Sequence, residues 1–435
     1  MKQIIQTICV LILLGGLVFS GSHRIKKSDI QMTKKKQVEP DYRRGPGASR
    51  DACAVIFPNG DIDANGDGVA DNVSGDTYVT NIDSSSNGYG MWSTVTRPMD
   101  VNSEGNMLVV YRQYAGELTT HGQLGAGYGV TGGVGEDITW DVQYNVNYNG
   151  NPPWGGGGVG GAGTAQARYP SGIASEEYPY AIWNEYTGNV SDWPSECSNY
   201  GGRPYFSYDE FGWGGESWTY PQDLDPLYDC TKDLWVGSVG YGYNAGSDEH
   251  HVSAVYEDWT RTGSYLFTSE AVEDGYIVLG TETLIVNPQH VNEDYTSYAL
   301  LSMNNDGQGL LGVDGYFEGY DPETGDCSPP ASNIICDYKT PMFKLTSNYG
   351  QTWAGDHGAF DFYYVPTEVF EDIMDTWPAN DIDPCTGETN AIEKIWSWYN
   401  FDMRVDADGN PHIVVSLVPE SALYLHNMED VAGLY

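Results

Sequence analysis

Basic residues are nearly missing from most of this chain. Ten of its 20 Lys and Arg lie in residues 1–50, together with three of the 61 Asp and Glu. From residue 51 onward 10 basic side chains stand against 58 acidic ones, a formal charge of −48. Such a body repels nucleic acid and anionic membranes. It suits an exterior rich in salt or calcium, where ions screen self-repulsion. Long apolar runs are missing too, with one exception. Ile4 to Phe19 is nearly all apolar over 16 residues, short of the roughly 20 that span a bilayer. Lys2 precedes it and Ser20, Gly21 and Ser22 follow it, so residues 1–22 read as a secretory signal. An uncleaved anchor is the alternative, because Arg24, Lys26 and Lys27 come next. No later segment is apolar enough to span, so no transmembrane domain is expected in the mature chain.

Other absences narrow the chemistry. No Cys-x-x-Cys pair occurs, which argues against a cysteine zinc site. The glycine-rich stretch 150–166 lacks a following Gly-Lys-Ser/Thr, so it does not look like a phosphate cradle. Long helical periodicity is scarce; only Thr367 to Met374 and Ala391 to Trp398 are patterned for helix. Residues 23–50 are polar and basic, with too little apolar surface to pack, and read as a disordered linker.

What is present is short strands and turns. The segments 106–114, 178–186, 233–241, 251–259, 275–286 and 411–418 alternate or run apolar, as half-buried and fully buried strands do. Gly, Asn and Asp separate them. The 33 Tyr, 13 Trp and 11 Phe supply large side chains with polar edges. Six of the seven Cys lie beyond the signal, an even number that predicts disulfides in an exported chain. The nearest pairings are Cys327 with Cys336 and Cys197 with Cys230; spacing leaves the connectivity open.

Two motifs carry more. In TSNYGQTW (346–353), after the strand pattern 341–345, Thr346 and Asn348 can bond back to the turn's own amides. Gly350 can take a positive φ, Thr352 re-enters extended chain, and Trp353 packs its ring. This pattern resembles the Asp-box, Ser-x-Asp-x-Gly-x-Thr-Trp, of sialidase-like β-propellers, with Thr346 for Ser and Asn348 for Asp. Looser echoes are SYDEFGWGGESW (207–218) and SSNGYGMW (85–92), and VDADGNPHIVV (405–415) is similar to the entry to an inner blade strand. The resemblance implies an all-β fold, a six- or seven-bladed β-propeller with Asp-box turns at 50–60 residues per blade, filling 51–435. Asp-boxes mark architecture away from the catalytic face. The chain ends amid blade-like patterning (421–435), so the last blade is either cut short or completed by a strand near 53–57.

The second motif is DIDANGDGVADN (61–72). Asp63, Asn65, Asp67 and Asp71 recur so that oxygens can wrap one cation, Gly68 allows the turn, and Asp61 or Asp76 can add an oxygen. It is similar to the calcium loops of dockerins and thrombospondin-type repeats, without the twelfth-position Glu of an EF-hand; Ser74 stands there. Structural calcium at a 61–74 loop is the expectation, with an acidic solvated turn as the alternative. His250 and His251 are adjacent, so they point apart in a strand and are expected as surface histidines.

A sialidase-type site needs three arginines converging on a substrate carboxylate, a Tyr/Glu nucleophile and an acid/base Asp. The body has only Arg97, Arg112, Arg168, Arg203, Arg261 and Arg404. Arg97 and Arg112 are the candidates for such a clamp. Tyr256 and Glu257 are neighbours in a strand and face opposite ways. No catalytic residue is therefore assigned. The expected role is an extracellular or cell-surface recognition module for glycan or protein, calcium-stabilised. Alternatives are a sialidase-like glycoside hydrolase and a structural surface module.

Overall fold

A computed structural model describes residues 82–83, 85, 95–113, 122–131, 138–147, 167–186, 202–215, 217–224, 232–260, 262–280, 282–321, 324–329, 331, 335, 338–355, 361–376, 381–382, 389–390 and 394–419. The signal, the linker and the 61–74 loop fall outside these, as do Cys197, Cys230, Cys336 and Arg261. The chain divides into two units. In the smaller one, residues 1–73 and 380–390, only one strand pair is described.

The larger unit is a β-propeller built from repeated antiparallel meanders. Its first sheet joins β1 (Met99–Val101), β2 (Met107–Arg112), β3 (Leu124–Thr131) and β4 (Ile138–Tyr144). The second joins β5 (Ala167–Ala174), β6 (Pro179–Tyr186), β7 (Gly202–Tyr208) and β8 (Gln222–Asp223). The third runs β9 (Leu234–Asn244), β10 (Glu249–Asp258) and β11 (Gly263–Glu273). Its outer position is shared by β12 (Tyr276–Leu279) and β13 (Thr283–Val286), which both pair with β11. The fourth joins β14 (Leu300–Met303), β15 (Gly309–Gly315), β16 (Thr340–Thr346) and β17 (Tyr363–Tyr364). Helix α1 (Thr367–Thr376) follows, then the pair β18 (Asp381–Ile382) and β19 (Thr389–Asn390) of the smaller unit. A hairpin of β20 (Ile395–Val405) and β21 (Pro411–Pro419) forms the fifth sheet.

Five blade sheets are thus described, against the six or seven expected from length. Successive first strands begin at Met99, Ala167, Leu234 and Leu300, wider than the 50–60 residues allowed per blade. Long connections take up the difference. Every segment patterned as strand supplies one, because an alternating run buries one face against each neighbouring blade. Of the segment Ala391 to Trp398, where a helix is expected, Ile395 to Trp398 instead begins β20; Trp396 and Trp398 are spaced by two, the strand period, not 3.6. The acidic turn of 405–415 leads into β21, the second strand of its hairpin, and not into a first strand.

Packing between sheets explains the aromatic content. Leu108, Val110 and Tyr128 of the first blade interleave with Ala174, Trp183 and Tyr205 of the second. Phe206 and Tyr208 meet Tyr256 and Phe267 of the third. Val255 and Leu266 meet Leu311, Val313 and Met342 of the fourth. Close packing sets strict volume limits: a Cβ on Gly237 would lie 2.0 Å from the Tyr256 ring. The first strands share a central cluster containing Trp235, Val236, Leu300, Phe401, Met403 and Val95.

The ring closes between the fifth blade and the first. Arg97 donates to the Met403 carbonyl at 3.2 Å and lies 3.7 Å from Asp402. Between the fourth and fifth blades, Lys339 donates to Asp314 at 2.6 Å, and Ser397 of β20 donates to the other Asp314 oxygen at 2.8 Å.

Candidate functional site

The two ends of the propeller differ in kind. At one end, tight turns join first to second strands, and the Asp274–Gly275 turn joins β11 to β12. Asn102, Asn304 and Asp406 brace three of the former alike. Each side chain accepts two amides of its own turn, at 2.8–3.1 Å, and a glycine with positive φ follows. The turn at 346–353 joins β16 to β17. Thr346 Oγ1 accepts from the amides of Asn348 and Gly350, Asn348 Oδ1 accepts from the Thr352 amide, and the Trp353 indole donates to the Gly350 carbonyl. Gly350 has φ +78. Its bracing is therefore the one expected from sequence. In 207–218, Asp209 accepts from the Phe211 and Ser217 amides and from the Tyr128 hydroxyl. These are architectural contacts.

At the other end, first strands enter and second strands finish, and here chemistry-bearing side chains gather. Arg112 ends β2 and Glu185 lies near the end of β6; both are buried. The Trp183 indole donates to Glu185 Oε2 at 3.1 Å. Burial pushes the Arg112 guanidinium down to about 10, the nearby Arg168 charge adds to this, and Tyr169 and Glu185 oppose it. Two guanidiniums, a carboxylate and a phenol are thus within electrostatic reach of one another.

Tyr169 sits at φ +51 beside the register shift between Arg168 and Ser171, and Val236 sits at φ +54 two residues into β9. A bulky or β-branched residue there is strained by about 1–3 kcal/mol. The two kinks occupy corresponding places near the starts of neighbouring first strands. They re-aim Arg168, Tyr169 and Trp235. The Tyr169 ring meets Trp235 edge-on at 6.0 Å, and Trp235 lies 5.4 Å from Trp259. Asp233 Oδ1 accepts the Trp235 indole at 2.5 Å, and Asp258 Oδ1 accepts the Asp233 amide at 2.8 Å, which fixes that ring. Tyr298 is pushed well above the usual phenol range by burial, then by Glu257 and Tyr169, with the Trp259 indole opposing.

Glu257, near the end of β10, is therefore close to Tyr298 and only half-buried. Its neighbour Tyr256 is fully buried against Gly237; the two have different surroundings, as strand alternation requires. The site accordingly combines a buried carboxylate beside guanidiniums, a half-buried carboxylate, and a wall of Tyr169, Trp235, Trp259 and Tyr298. Arg112 was legible as a candidate from sequence. Arg97 was the other candidate, and it serves the ring closure instead, among Asp402, Arg404 and Asp100. It also lines a cavity of about 270 Å³ where the first strands of all five blades approach the turn end, together with Asp100, Glu176, Ser302 and Arg404. Glu185, Trp235, Trp259 and Tyr298 were not singled out; the shared Trp-x-Glu and Tyr-Glu endings of β6 and β10 were the available signal.

Other expected site residues resolve as follows. Asp61, Asp63, Asn65, Asp67 and Asp71 lie outside the described residues. Among the described residues no cluster of three or more His, Cys, Asp or Glu could hold a metal. Cys327 is disulfide-bonded. His250 and His251 are half-buried, not surface residues: His250 stacks on Tyr243 at 4.7 Å and His251 on Tyr349 at 4.0 Å. They do point apart. Among the described residues no helix is long and apolar enough to cross a membrane.

No protein-family model matches the sequence, and no curated protein matches it. Solved structures do. A glycosyl hydrolase from Bacteroides ovatus is 12% identical with a TM-score of 0.32, covering 75% of this chain and 81% of its own. An α-L-arabinanase mutant from Cellvibrio cellulosa is 9% identical with a TM-score of 0.34, covering 79% and 99%. An exo-β-1,3-galactanase from Phanerochaete chrysosporium is 8% identical with a TM-score of 0.35, covering 80% and 65%. These neighbours are glycoside-hydrolase-type propellers and do not show a sialidase-type family. The likeness goes no further than the fold.

Proposed function

We propose that this chain is a carbohydrate-active propeller of the glycoside hydrolase type, acting where its second strands finish. The observation that carries this is the buried Glu185, held by Trp183 near Arg112, at the same end of the propeller as the half-buried Glu257 beside Tyr298 and the rings of Tyr169, Trp235 and Trp259. Glycosidic cleavage needs one carboxylic acid to protonate the leaving oxygen and a second carboxylate to stabilise or attack the sugar carbon. Glu185, held by Trp183 near Arg112, and Glu257, half-buried beside Tyr298, are the candidates for these two roles. The half-buried rings of Tyr169, Trp259 and Tyr298 suit sugar faces. In this reading the protein acts outside the cell, and the acidic 61–74 loop holds structural calcium.

A recognition module that binds glycan without cleaving it is the second reading; the same aromatic wall supports it. The test is incubation of the full chain, with calcium, with a panel of plant, fungal and host-type oligosaccharides, read by mass for released sugar. Release that is lost in both Glu257→Gln and Glu185→Gln supports hydrolysis. Retention of glycan with no release, in wild type as in the variants, favours recognition.

A further inference from the structure

The fifth blade is described by two strands, β20 and β21, where each other blade has at least four. Among the described residues no strand pairs with the outer edge of β21. Its burial departs from that of other second strands. No residue of β2 or β15 is exposed, whereas Pro411, His412 and Val414 of β21 are, Val414 by 61%. Ile413 and Val415 pack with Leu300, Leu310 and Phe343 of the fourth blade. Val414 therefore faces the other way, toward the first blade. An apolar strand with an open edge is a template for pairing.

The facing wall belongs to the first blade and already carries a piece of chain. Leu108, Val110, Ala126 and Tyr128 look toward the second blade. Their alternates Tyr111, Gly125 and Gly127 look toward the fifth. On that side the Tyr111 hydroxyl donates to Asp83 Oδ2 at 2.5 Å, and Ser85 Oγ donates to the Arg112 carbonyl at 2.8 Å. A Cβ on Gly127 would lie 2.7 Å from Ile82 Cγ2, so the missing side chain makes room for this segment. Residues 82, 83 and 85 thus lie over β2 and β3, on the side where a third strand of the fifth blade would stand. They end the stretch DTYVTNID (76–83), in which Tyr78, Val79, Thr80 and Ile82 are strand formers and neither Gly nor Pro occurs.

We infer that residues 76–83 add a strand to the outer edge of β21, so that a segment preceding the first blade clasps the last described one and closes the ring. Main-chain hydrogen bonds to the open edge supply the affinity, and the apolar side chains of alternate positions supply the fit. Residues 421–435 follow β21 directly, and a second copy of the chain has the same open edge. The seating of Ile82, Asp83 and Ser85 on the facing wall favours 76–83 over both.

The test reads hydrogen exchange of the full chain, amide by amide along β21. The amides that point away from β20 are expected to exchange at least about a hundredfold more slowly than unstructured chain. Val79→Pro, which removes a donor and fixes φ, is expected to speed them at least about tenfold while the amides of β6 keep their rates. Tyr424→Pro is expected to leave them slow. In a second measurement p-benzoylphenylalanine replaces Val79, and illumination is expected to cross-link it within the same chain to a peptide containing β21. Should Val79→Pro fail to fold, this cross-link decides, and capture elsewhere overturns the inference. Fast exchange of the β21 edge in the wild type overturns it too. Protection lost in Tyr424→Pro and kept in Val79→Pro gives the edge to 421–435 and overturns it. So does protection that falls on dilution, with cross-links between chains, which gives the edge to a second copy.

Discussion

The Lys339 ammonium lies 2.6 Å from the Asp314 carboxylate, and both side chains are fully buried. Burial drives each toward its neutral form, and each partner's charge opposes that in the other. Ser397 of the fifth blade completes the group, so the contact joins the last described hairpin to the fourth blade. Breaking it by Lys339→Met would leave a buried carboxylate without its cation. The expected cost is about 3–5 kcal/mol. Lys339→Met combined with Asp314→Leu should recover most of it, because two apolar side chains of similar volume remove both charges together. Denaturant unfolding of the single and double variants checks this.

The 346–353 turn should answer to side-chain oxygen, not to size. Thr346→Val strands the Asn348 and Gly350 amides and is expected to cost about 1–3 kcal/mol. Thr346→Ser keeps the acceptor and should cost much less. Gly350→Ala is expected to cost about 1 kcal/mol or more for its positive φ, and its Cβ would also meet Ser253 Oγ at 2.8 Å. Thermal unfolding of the three variants separates these effects.

A mild loss of stability is expected as pH falls below 6.5. His251 is held below its ordinary value by burial, with His250 adding and Glu249 opposing. The unfolded chain then binds the proton more readily, so the contribution is present above 6.5 and is lost as pH falls toward the folded value. His251→Phe keeps the stack on Tyr349 and should flatten Tm against pH between 8 and 5. An unchanged slope would remove His251 from the account.

The strands and the braced turn were legible because both are short-range. An alternating apolar run such as 251–259 states which residues will be buried, and Thr346, Asn348 and Gly350 are close enough in sequence to brace one another. Blade number was not legible, because it depends on insertions whose length no local rule sets. The site was legible only at Arg112. Glu185 and Glu257 are two of 58 acids from residue 51 onward, and the aromatic residue close to each, Trp183 or Tyr256, was the local signal that set them apart. The kinks at Tyr169 and Val236 are set by packing between blades, which a single strand pattern does not contain.

Calcium is expected to raise Tm, and a chelator to lower it, through the acidic 61–74 loop. Asp67→Asn should shrink the calcium-dependent shift while leaving the calcium-free Tm nearly unchanged. A Tm indifferent to calcium would leave the loop as an acidic solvated turn.

Carbohydrate, in the proposal, is handled where second strands finish. Its most direct test is a crystal structure of Glu257→Gln soaked with an oligosaccharide that the panel identifies as bound or cleaved. Sugar density is expected against Tyr169, Trp235, Trp259 and Tyr298, with a glycosidic oxygen facing position 257. Density at the turn end or on an outer blade edge, with this site empty, would contradict it.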